Sequence, residues 1–84
     1  MRNDMQTEDV IGKLVAGTLG VPVQSVHDDL AFSDVAEWDS LNHVNLMIAL
    51  EQLLQTEIGE DLMVELTSVR AIRAFAASHL AGRS

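Results

Sequence analysis

A chain of 84 residues suffices for one domain with a single small core, but not for a core and a deep catalytic cleft together. Thirteen acidic residues against five basic ones give a formal charge of −8, which disfavours nucleic acid and anionic membrane surfaces because both are polyanions. With no cysteine there is no disulfide framework, thiolate nucleophile or Cys-based metal site, so any thiol chemistry needs an imported thiol.

The opening Met1 to Gln6 is polar and lacks the apolar core of a signal peptide. No later stretch has the uninterrupted apolar length of a membrane span, so a cytoplasmic, monomeric protein is expected. Val10, Ile11, Leu14, Val15 and Leu19 recur at helical spacing and predict an amphipathic helix over about Thr7 to Leu19, with Glu8 and Asp9 suited to its positive end. Gly20 then suits the left-handed position after a helix, and Pro22 cannot continue one.

From about Val21 to Asp39 no period persists, yet the stretch carries Val23, Val26, Leu30, Phe32, Val35 and Trp38. A loop this long is unusual unless it is functional or packs its own side chains on the body. Leu30 and Phe32 are expected as buried pins and Trp38 as a half-buried packing residue. Asp28, Asp29, Asp34, Glu37 and Asp39 cluster here, but Leu30 and Phe32 stand at ligand-type positions and the central glycine of a calcium loop is absent. The residues do not make a calcium site.

A second helix is predicted from about Ser40 to Gln55. Leu46, Met47, Leu50, Leu53 and Leu54 fall on one core-facing arc. Leu41, Val44 and Ile48 form a separate ridge at i, i+3 and i+7, among Asn45, Glu51, Gln52 and Gln55. Such a ridge is either covered by another element or exposed for binding. Ser40 opens this helix, where unpaired amides and the dipole favour a phosphate, although the same position also suits an ordinary cap.

A short segment over about Glu60 to Glu65 has room for one or two helical turns. Thr67 or Ser68 can cap a last helix to about Leu80, with Val69, Ile72, Phe75, Ala76 and Leu80 inward and Gly82 to Ser84 as a frayed tail. Arg70 and Arg73 sit near its start, which the dipole does not favour, so they are expected to face acidic neighbours. No positive residue lies between Lys13 and Arg70, a one-signed middle that either solubilises or steers a basic partner. The expected fold is all-α: a single domain over 1–84, ordered over about 6–80, with three main helices, one short helix and a long first loop in a small four-helix bundle.

A serine hydrolase or transferase needs Ser40 activated by a base with an orienting group behind it. His43 counts as lying nearly on the opposite side of the helix from Ser40, and His27 and His79 are isolated, without metal-ligand spacing. All three are expected to be structural or surface residues, and the chain to be no enzyme.

Asp39-Ser40-Leu41, the apolar helix reaching Ala49-Leu50-Glu51, then Thr56-Glu57-Ile58 and Thr67-Ser68-Val69 together resemble an acyl carrier protein over nearly the whole chain. The resemblance implies that Ser40 receives 4′-phosphopantetheine from coenzyme A through a separate phosphopantetheinyl transferase. It implies a terminal thiol that holds acyl or aminoacyl groups as thioesters and offers them to loading and downstream biosynthetic enzymes. It further implies that Asp39 contacts the transferase or its metal when it is not simply a cap, and that Leu41, Val44 and Ile48, with Glu37 and Glu51, form the docking surface. Asn42, Asn45 and Gln52 are neutral where fatty-acid carriers are commonly acidic, and Glu37-Trp38-Asp39-Ser40-Leu41 looks more like discrete carriers of polyketide or nonribosomal peptide pathways. The alternatives are a fatty-acid-synthesis carrier and an unmodified helical interaction module that uses the ridge alone.

Overall fold

The structure, a computed structural model, describes residues 10–82, with side chains described as far as residue 79. The expected helix start at Thr7 to Asp9, the opening Met1 to Gln6, the side chain of Leu80 and the end of the tail at Arg83 and Ser84 lie outside the described residues.

Helix α1, Val10–Leu19, turns Ile11, Gly12, Val15, Ala16 and Leu19 into the core, while Val10 is exposed and so leaves the expected stripe. The helix ends where Gly20 takes φ 75°, a conformation that costs other residues a Cβ clash, and the amides of Gly20 and Val21 both donate to Ala16 O. Pro22 leads into a 3-10 turn over Val23–Ser25.

The rest of the long loop is anchored by Val26, Leu30 and Trp38, all buried. Trp38 has 0% exposure, deeper than the half-buried position expected, because its indole N–H finds a partner inside the core. Phe32 is the reverse case: it packs against the core but stays half-exposed as the wall of a cavity.

Helix α2, Ser40–Leu54, buries Leu46, Met47, Leu50 and Leu54. Leu53 was expected beside them and is instead 40% exposed; the place on the buried arc that the sequence count overlooked belongs to His43. Gln55 closes the helix in the left-handed conformation at φ 55°, its N–H donating to Glu51 O. Helix α3, Glu60–Glu65, is a single short element with no buried residue of its own. It hangs between buried Ile58 and buried Leu66.

Helix α4, Val69–Gly82, shows how the loop and the bundle join. A helix leaves its first amides without intrahelical partners. Here Val69 N–H donates to Leu30 O at 2.9 Å, Arg70 N–H to Asp28 O at 3.0 Å and Ala71 N–H to the Ser68 hydroxyl at 3.1 Å, so the loop carbonyls and the serine cap satisfy this helix start. Phe32 N–H to Thr67 O completes an isolated antiparallel bridge between Ala31 and Ser68. Arg70 and Arg73 do face acidic neighbours: Arg70 meets Asp29 at 2.5 Å and Arg73 meets Asp28 at 2.6 Å. The hydrogen bond and charge of Asp29, with the charge of Asp28 behind them, hold the Arg70 guanidinium above the ordinary arginine value. Val69, Ile72 and Ala76 are buried, Phe75 is half-buried with its ring against that of His79, and the helix runs on through Gly82, which therefore is not part of a frayed tail. The result is a small all-α bundle of four helices with no named strand among the described residues.

Candidate functional site

The start of α2 divides two tasks between adjacent residues. Asp39 has extended backbone and is the N-cap: its carboxylate accepts from Asn42 N–H at 2.9 Å, and its carbonyl takes His43 N–H at 2.8 Å. Ser40 is the first helical residue and is exposed, so its hydroxyl is not needed as a cap. The amides of Ser40 and Leu41 have no hydrogen-bond partner among the described residues, which leaves donors at the positive end of a 15-residue helix. Asn42 secures the approach by donating from its side chain to Glu37 O at 2.7 Å.

Beside Ser40 opens a predominantly apolar cavity of about 320 Å³ between α2, α3 and the loop, lined by Phe32, Ser40, His43, Val44, Met63, Val64 and Thr67. His43 therefore does not face away from Ser40. Three residues along a helix amount to about 300°, which is only about 60° short of a full turn. The ring is buried, accepts the Trp38 indole N–H at Nδ1 over 3.0 Å and meets Met63 O from Nε2 over 2.8 Å. Both nitrogens are thus taken: Nδ1 is the acceptor and Nε2 carries the proton. No activated base for Ser40 results from this histidine. Phe32 packs edge-on to the same ring.

Trp38 and His43 occupy the positions just before an N-cap and four residues after it, the spacing of a hydrophobic staple. That spacing was the sequence signal for their pairing. His27 is exposed and His79 half-buried against Phe75.

The ridge beyond Ser40 is uncovered: Leu41 is 70% exposed, Val44 40% and Ile48 46%. Val64 of α3, exposed and also lining the cavity, extends the apolar rim. Glu37 is exposed. Glu51, expected on the docking surface, is half-buried, and its carboxylate accepts Ile58 N–H at 2.7 Å and pins the connection into α3. Among the described residues no group of His, Asp and Glu is arranged to hold a metal ion, and no helix is long and apolar enough to cross a membrane.

The described residues form a small helical bundle with an exposed serine on the first turn of α2 and a predominantly apolar groove alongside. The family model for the phosphopantetheine attachment site matches residues 9–76, and the chain belongs to that family. Members carry 4′-phosphopantetheine covalently on a serine and act as carriers, generally without catalysis of their own; they work with a phosphopantetheinyl transferase and with biosynthetic enzymes. The donor set here fits the group: an accessible hydroxyl, two unpartnered amides and no competing thiol anywhere in the chain.

Proposed function

We propose that Ser40 is the attachment residue, and that the chain presents acyl or aminoacyl groups to partner enzymes across the Leu41, Val44 and Ile48 ridge. The observation that carries this reading is the division of labour at the helix start, where Asp39 does the capping and leaves the neighbouring hydroxyl exposed. When bound, the prosthetic group supplies the thiol that the protein lacks and holds its cargo there as a thioester. The chain's own residues orient and advertise. The amides of Ser40 and Leu41, without hydrogen-bond partners among the described residues, would hold the phosphate of a group on Ser40, and the apolar ridge starts at the next residue.

The proton released from the Ser40 hydroxyl on modification goes to a base that the transferase brings, because both nitrogens of His43 are engaged. Glu37 and Asp39 are the carboxylates nearest in sequence to Ser40 and the proposed contacts for that enzyme, Asp39 beyond its work as a cap. Polyketide or nonribosomal peptide biosynthesis is the proposed setting, supported by Glu37-Trp38 before Asp39-Ser40 and by the neutral Asn42, Asn45 and Gln52 on α2. Intact mass after incubation with coenzyme A and a broad-specificity transferase tests the assignment. The expected result is a gain of one phosphopantetheine that is absent in Ser40→Ala; an unchanged wild-type mass with several transferases would sink it.

A further inference from the structure

Helix α3 forms one wall of the cavity beside Ser40, yet none of its six residues is buried and its N-cap, Gly59, offers no side-chain cap. Leu62 and Met63 only lean on the core. What ties the middle of this wall to α2 is His43, which is buried and linked in two directions at once, to the Trp38 indole in the loop and to the Met63 carbonyl in α3. Phe32, another wall residue, rests against the same ring.

We infer that His43 is a positioning residue, a latch whose neutral, Nε2-protonated ring holds α3 and the Trp38 loop at a set distance from α2 and so sets the width of the cavity next to Ser40. Its relevance to a tethered group rests on the reading of Ser40 as the attachment residue; the latch itself does not. The ring sits where a leucine would serve for packing, but a leucine could neither accept the indole N–H nor donate to a carbonyl at the edge of α3. A short helix without buried side chains opens locally at low cost unless something in its middle is held. One hydrogen bond of this kind alters such an opening equilibrium by roughly fivefold to tenfold.

The test uses the unmodified full chain. Amide hydrogen exchange, read residue by residue, is compared in wild type, His43→Leu and His43→Gln. In His43→Leu the amides of Met63, Val64, Glu65 and Leu66 should exchange roughly fivefold to tenfold faster while those of Leu46 to Leu50 and Ile72 to Ala76 keep their protection. His43→Gln, whose amide both accepts and donates, should recover most of the α3 protection. Imidazole nitrogen shifts in the wild type should report an unprotonated Nδ1 and a protonated Nε2. The opposite tautomer, or α3 exchange that does not change in His43→Leu, would overturn the latch, as would a uniform rise through all helices in both variants. Mass analysis of the same proteins after phosphopantetheinylation reports on Ser40 independently: failure there strikes the carrier reading and leaves the latch standing.

Discussion

Helices α2 and α3 face each other across one cavity and are held in opposite ways. α2 is long enough to give one face to the core and another to solvent: Leu46, Met47, Leu50 and Leu54 are essentially inaccessible, while Leu41, Val44, Ile48 and Leu53 are exposed. α3 gives no residue to the core and is suspended between Ile58 and Leu66. The core therefore dictates the position of α2, whereas a displacement of α3 breaks few buried contacts.

The largest expected effect separates the two directly. Leu50→Ala removes a side chain with no exposure and should cost roughly 2–5 kcal/mol, enough to threaten a domain this small. Leu62→Ala, on the half-buried side of α3, should cost about 1 kcal/mol. Urea denaturation of both variants measures the difference; similar midpoints would mean that α3 belongs to the core as fully as α2 does.

Next comes the second face of α2. Ile48→Asp should leave urea stability within about 0.5 kcal/mol of wild type, since the side chain already meets water. Transfer from the modified protein to its downstream enzyme should fall about tenfold if Ile48 is a central docking contact. Loss of folding instead would place the ridge in the core.

At the start of α2 the expected effect is smaller. Asp39→Ala deletes the acceptor for Asn42 N–H and should cost about 1 kcal/mol, whereas Ser40→Ala should be nearly neutral because its hydroxyl caps nothing. Thermal denaturation of the pair checks whether the cap is confined to Asp39.

Much of this arrangement was legible in the sequence because it follows from period and caps. The burial of Ile11, Val15 and Leu19 in α1 and of Val69, Ile72 and Ala76 in α4, the bounds of α3, a cap at Thr67 or Ser68, the turn at Gly20 and the acidic partners of Arg70 and Arg73 follow from apolar spacing, turn chemistry and dipole arguments. What escaped depends on contacts between elements. Leu53 satisfies the helical period yet lies outside the packed region, and Phe32 is apolar yet lines an opening. Glu51 reads as a surface charge until Ile58 N–H folds back onto it. His43 is the instructive case: a structural or surface role was expected on the side of the helix away from Ser40, but the ring lies beside Ser40 in a buried position that offers an indole N–H on one side and a carbonyl on the other.

The smallest effect concerns the seam between the loop and α4, which sets the scale for both sides of the comparison. Backbone hydrogen bonds from Phe32, Val69 and Arg70 already join loop to helix there, so the exposed ion pairs add little to them. Replacing Arg70 with Gln should lower stability slightly, and the deficit should shrink further as salt is raised, because Arg70 and Asp29 are both largely in water. The arginine value is raised in the folded chain, so its contribution is complete below the unfolded value and fades only as pH climbs through the higher folded one. Between about pH 6 and 9, therefore, Arg70→Gln should shift the urea midpoint by a constant amount. A deficit that grew with salt, or that changed across this interval, would show that the seam is held by something other than these exposed pairs and the backbone beneath them.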